Sequence, residues 1–174
     1  MFNFWIQRKQ HKKAAAGLYE IIVKQARQPA FYKDMFVPDD VDGRFDLILV
    51  HAFLVHHRIK DEPKAKQLGQ ALFDHTFKEM DKTLREMGIG DLSVPRHMKH
   101  MMKSYKGRIT NYGQAAGDDK ALAESLRRNL YRKLPSVPDD VLALIVGYIN
   151  DNIAHLAEQD YSMIEKGHIS FKGP

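Results

Sequence analysis

The chain has 174 residues, with 27 Lys and Arg against 22 Asp and Glu, nine His, eight Met and no Cys. An apolar share of 44% and a charged share of 28% are those of one folded domain rather than a disordered chain. The missing cysteine excludes a disulfide scaffold, thiolate metal sites, cysteine-held iron–sulfur clusters and a cysteine nucleophile, and it favours a reducing compartment.

The N-terminus places Phe2, Phe4, Trp5 and Ile6 before Arg8, Lys9, Lys12 and Lys13. A secretory signal has the opposite order, charges first, so no export is expected. Residues 1–12 read as an apolar and basic segment, with Phe2, Phe4, Trp5, Arg8 and Lys9 as a candidate contact with an anionic bilayer. Docking of the same apolar residues on the protein's own core, or on a second copy, fits them equally well.

A first helix is expected from about Lys12 to Gln28, with Leu18, Ile21, Ile22 and Gln25/Ala26 as its apolar stripe and Pro29 as its stop. A loop through 31–38 leads to Asp39 and Asp40, which offer N-caps for a second helix reaching about Lys60. That helix holds the longest apolar run, 45–55, and is apolar on nearly every face, which marks it as central. The run is too short for the roughly 20 residues a membrane span needs. His51 within it reads as a core histidine hydrogen-bonded to a neighbour.

Glu62-Pro63 opens a third helix with Phe73, Phe77, Met80, Leu84 and Met87 on one stripe and the pairs Asp81/Arg85 and Lys82/Glu86 on its other face. Gly88 ends it, and Gly90–Ser93 makes a turn in which Ser93 caps a fourth helix with Pro95 in its first turn. Asp118 or Asp119 caps a fifth. Pro138-Asp139-Asp140 starts a sixth, striped by Leu142, Ile145, Ile149, Ile153 and Leu156. Nothing alternates with the period of a strand. The fold class is all-α, a single bundle-like domain of about six helices occupying 13–172.

The fourth helix is the most informative stretch. Between Val94 and Tyr112 it contains Arg96, Lys99, Lys103, Lys106 and Arg108 and no acid. The spacing of the first four puts them on one face, opposite Met98, Met101/Met102, Tyr105, Ile109 and Tyr112. An acid-free basic face attracts phosphate, whether in RNA, in lipid head groups or on an acidic protein. A solvated face over an ordinary Met/Tyr core stripe is the plainer alternative.

The histidines do not assemble a metal site. His97 and His100 lie three apart on the basic helix, no His-Glu-x-x-His motif exists, and the one Glu-x-x-His spacing, Glu165 to His168, is interrupted by Gly167. No catalytic elbow or phosphate-binding glycine loop is present, and Gly88-Ile89-Gly90-Asp91 follows a helix rather than a strand. Neither an enzyme nor a cofactor is expected.

Two stretches together are distinctive: Ala26-Arg27-Gln28-Pro29-Ala30-Phe31-Tyr32 with Val37-Pro38-Asp39, Gly43-Arg44-Phe45-Asp46 and His51, and Gln70-Ala71-Leu72-Phe73-Asp74 with Met80-Asp81, 84–91 and Gly107-Arg108. This pattern, over 26–112, resembles the ubiquinol–cytochrome c chaperone family. The resemblance implies an all-helical assembly factor for the cytochrome bc1 complex. Mitochondrial members act with a small helper protein, near the ribosome exit, on newly made cytochrome b. With no Arg/Ser-rich presequence after Met1, a bacterial member is expected, peripheral at the cytoplasmic face of the inner membrane.

In family terms Arg44, His51, Asp81, Arg85, Gly88, Gly90, Asp91 and Arg108 match the recurring pattern. Arg44, Arg96, Lys99, Lys103, Lys106 and Arg108 are the candidate partner- or phosphate-binding residues. The residues by themselves leave two other functions open, a basic helical RNA- or ribosome-binding module and a lipid- or isoprenoid-handling helical protein.

Overall fold

The computed structural model describes residues 2–174, with side chains from Trp5 onward. Eight helices follow in order: α1 (Phe2–Ala26), α2 (Pro29–Lys33), α3 (Val41–Ile59), α4 (Ala65–Glu86), α5 (Val94–Ala115), α6 (Asp119–Asn129), α7 (Asp139–Ala157) and α8 (Tyr161–Ile164). No strand occurs among the described residues. The all-α bundle expected from periodicity is the fold, with its six long helices where the apolar stripes lie.

The central helix is α3, as its all-round apolar character requires. Leu47, Leu49, Val50, Phe53, Leu54 and Val55 are fully buried, and α1, α4, α5 and α7 all pack on it. Asp40 starts the helix, its carboxylate accepting the Gly43 N–H at 2.8 Å. Asp118 does the same for α6 through the Ala121 N–H at 3.0 Å.

Four local expectations need correction. Helix α1 begins at Phe2, not near Lys12, because 6–16 is an unbroken run free of Gly and Pro and rich in good helix formers. The stretch after Pro29 is a helical turn rather than plain loop: the proline that stops α1 sits at the first position of α2, where its missing N–H costs nothing. Ser93 makes no side-chain cap, since its backbone is already helical, φ −93° and ψ −26°, rather than in the extended conformation a capping residue takes. Met87 leaves the α4 stripe as the C-cap residue and is 51% exposed.

Gly43 is required by close approach. A methyl group there would overlap the Pro38 carbonyl as the chain turns into α3. Gly43→Ala is expected to destabilise the fold by about 2–3 kcal/mol, because both sides of the overlap are backbone and neither can swing away. An unchanged urea midpoint for this variant would contradict the packing described.

After α8 the chain turns back at Gly167, whose φ of 92° suits glycine, and lies against Ala14 and Gly17 of α1. The C-terminal tail is then tied down: the Asn152 side chain accepts the Lys172 N–H at 2.9 Å, and Gln25 donates to the Lys172 carbonyl at 2.8 Å.

Candidate functional site

Helix α5 separates its residues as the spacing demands. Arg96, Lys99, Lys103 and Lys106 are exposed, while Tyr105 and Tyr112 are buried and Met98, Met101, Met102 and Ile109 pack, partly buried, on the core. The Tyr105 hydroxyl pairs with Nε2 of His56 at 2.8 Å, which fixes the inner face of α5 against α3. Lys106 Nζ lies 5.3 Å from the centre of the Phe73 ring, within cation–π range. Arg96, Lys99 and Lys103 have no ion-pair partner among the described residues. The turn ahead of α5 adds apolar surface: Leu92 is 98% exposed beside the half-exposed Met87. Exposed apolar area therefore comes from this turn rather than from the methionines of α5.

Arg108 does not belong to this surface. Its side chain is buried, with Nη2 3.1 Å from Asp46 Oδ1, and Asp46 also bonds Arg132 from the segment after α6. Arg132 reaches Asp42 at 3.5 Å, and Lys133 lies 2.9 Å from Asp40 and 2.6 Å from Asp42. The acidic start of α3 is thus clamped by cations from two other parts of the chain. Burial pushes the Asp46 carboxyl above the ordinary carboxylate range against the pull of Arg108 and Arg132. Asp42 and Asp46, four apart at the head of the helix that carries the longest apolar run, are the signal for this clamp in the sequence. The partners lie too far along the chain for spacing to name them.

Arg44 is exposed but tied to Asp39 at 2.7 Å. His51 is buried, its Nδ1–H donating to the Leu47 carbonyl at 2.7 Å and its Nε2 accepting from the Tyr148 hydroxyl at 2.8 Å. Gln25 donates to that hydroxyl at 2.9 Å, so the network is complete and His51 is the hydrogen-bonded core residue expected. At the N-terminus, Phe2 and Phe4 lie outside the described side chains. Trp5 is 63% and Ile6 42% exposed, and Arg8 and Lys9 are exposed on the same helix. Trp5 and Ile6 therefore do not dock into the core. No helix among the described residues is long and apolar enough to cross a membrane.

The family model described as ubiquinol-cytochrome C chaperone matches residues 33–171, most of the chain. The chain belongs to the ubiquinol-cytochrome c chaperone family. A solved member-like structure, the Cbp3 homolog from Brucella abortus, is 36% identical with a TM-score of 0.81, over 99% of this chain and 97% of that one. Ubiquinol-cytochrome-c reductase complex assembly factor 1 of Xenopus laevis is 25% identical across 86% of this chain and 75% of its own length. The Homo sapiens protein of that name is 23% identical over 92% of this chain, which spans 54% of the human one.

The residues on which the family resemblance rests turn out to hold the frame. Arg85 bridges Asp81 at 2.8 Å and Asp91 at 2.5 Å across the turn where Gly88 has a φ of 80°. His51 ties α3 to α7, and Arg108 ties α5 to α3. In this ubiquinol-cytochrome c chaperone the α5 cations Arg96, Lys99 and Lys103 are exposed and make no ion pair among the described residues, whereas Arg108 is buried against Asp46.

Proposed function

We propose that this chain is an assembly chaperone of the bc1 complex whose client is newly made cytochrome b, held beside the ribosome at the cytoplasmic face of the inner membrane. Family membership supports the bc1 complex as the target. The observation that carries the finer reading is the α5 surface: three unpaired cations, Arg96, Lys99 and Lys103, next to the exposed Met87 and Leu92. A membrane protein leaving a ribosome presents apolar side chains alongside anionic RNA, and this surface offers a counterpart to each. A small helper protein, implied by the family resemblance, belongs to the same reading.

Deleting the gene is expected to remove most spectroscopic cytochrome b and bc1 activity, and the wild-type gene restores both. Complementation with Arg96→Glu, Lys99→Glu and Lys103→Glu together is expected to restore several-fold less, since each reversed charge near an anionic surface changes attraction by about 1 kcal/mol or more. Normal cytochrome b in the deletion strain would defeat the reading. Full rescue by the triple variant would remove the α5 face from it.

A further inference from the structure

A second basic surface lies away from α5, where the first half of α1 runs along α4. The two helices leave a groove of about 1040 Å3 between them. Arg8, Lys12 and Lys13 line it from α1, and Lys66 and Lys78 from α4. All five are exposed, and none has an ion-pair partner among the described residues. The one carboxylate on the groove, Asp74, already accepts the Gln70 side-chain amide at 2.8 Å. The groove is therefore a concentration of cations with one carboxylate in its lining, Glu20, Glu79 and Glu165 acting on its histidines from beyond that lining, and an anion is what its charge complements.

The neighbouring residues select among anions. Trp5 and Ile6, 63% and 42% exposed, stand within one turn of Arg8 on the same helix, so an aromatic and an aliphatic side chain accompany the cations of α1 at the surface. Indole next to lysine and arginine is the composition of a bilayer interface, where the ring sits at headgroup depth and the cations meet phosphate. A track for RNA would instead interleave aromatic rings among the cations, so that bases stack along the groove. Its lining holds no Phe, Tyr or Trp, and of its two imidazoles His11 is buried and His75 packs edge-on against Tyr19.

We infer that the α1–α4 groove is a seat for the phosphate headgroups of anionic phospholipid, and that it, rather than the α5 face, sets the chain on the membrane. The assignment rests on the membrane location in the proposed function and gives that location a site. It divides the two basic surfaces, the groove for lipid and α5 for the client and its ribosome. Helix α1 then lies with Trp5 and Ile6 at the bilayer surface.

The test is flotation of the full chain with vesicles of phosphatidylcholine alone or of equimolar phosphatidylcholine and phosphatidylglycerol. Wild type is expected to float with the anionic vesicles only, and less so as salt is raised. Lys12→Glu with Lys66→Glu, one charge from each wall, is expected to bind about tenfold more weakly or worse. The α5 reversal Arg96→Glu, Lys99→Glu and Lys103→Glu is expected to float like wild type. Lys12→Ala with Lys66→Ala gives the same direction with a smaller loss, should the reversed pair fail to fold.

If the groove variants float normally while the α5 reversal does not, the groove is overturned and the membrane location survives on the other face. If wild type ignores anionic vesicles, both fall together. If an oligouridylate is bound by wild type and lost by the groove variants while vesicles are ignored, the groove belongs to RNA and the lipid assignment is overturned. Whether the chain chaperones cytochrome b is read separately, from the deletion strain.

Discussion

Asp46→Ala is expected to destabilise the protein by about 3–5 kcal/mol, because it strands the buried Arg108 guanidinium without its counter-charge. The Asp46 side chain is 2% exposed and that of Arg108 8%, so neither can turn to water when its partner is lost. The pair is itself costly to bury, as the raised Asp46 pKa indicates. Removing both charges is therefore expected to be far milder than removing one. Asp46→Leu with Arg108→Met, similar in volume and apolar, is expected to recover most of the loss. Arg132, one-third exposed, can hydrate when its partner goes, so Arg132→Gln is expected to cost well under half as much as Asp46→Ala. Urea midpoints of the three variants measure this order. Asp46→Ala unfolding at the wild-type midpoint would mean that the clamp on α3 contributes nothing.

Stability is also expected to fall steeply on acidification below about pH 6.5. Burial lowers the pKa of both His51 and His56 from 6.5 to about 4. Between those values the unfolded chain binds protons that the folded chain refuses. Protonation therefore draws the equilibrium toward unfolding as pH falls, by about 1.4 kcal/mol per pH unit for each such histidine. His51 has no exposed surface and carries the fuller share, while His56 keeps part of its surface exposed and carries less. The Asp46 carboxyl has the opposite sign: its raised pKa lets the folded state take up a proton first, which offsets part of the slope near the acid end. His51→Gln, which keeps a donor and an acceptor for Leu47 and Tyr148, is expected to lower stability at neutral pH and flatten the slope. Equal slopes in the two proteins would rule out His51 as the source.

Both predictions rest on contacts that the sequence places far apart. Gln25 and Tyr148 are 123 residues from each other, and Asp46 and Arg132 are 86. The periodicities of α3, α4, α5 and α7 were readable because each buried stripe recurs every three or four residues within one helix. The exposed row Arg96, Lys99, Lys103 and Lys106 was readable for the same reason, and the structure leaves those four on the surface. Arg108 shares their helix, and within the sequence nothing sets it apart from them as a phosphate contact. Its position turns it inward, and only the presence of Asp46 on the neighbouring helix makes that burial tolerable.

The two halves of the α1–α4 groove show the same division. Arg8, Lys9, Lys12 and Lys13 stand together in the chain and were visible as a basic run beside Trp5. Lys66 and Lys78 lie scattered through another helix and gain meaning only when α4 packs along α1.

By itself, then, the sequence determined the helical class, the central place of α3, the acid-free face of α5 and, through an ordered set of residues, the family. The tertiary structure decided which charges are framework and which are free to meet a partner. The physical reason is range. Helix periodicity and capping act over one or two turns, whereas the cost of burying a charge depends on what the rest of the chain brings to within a few ångströms of it.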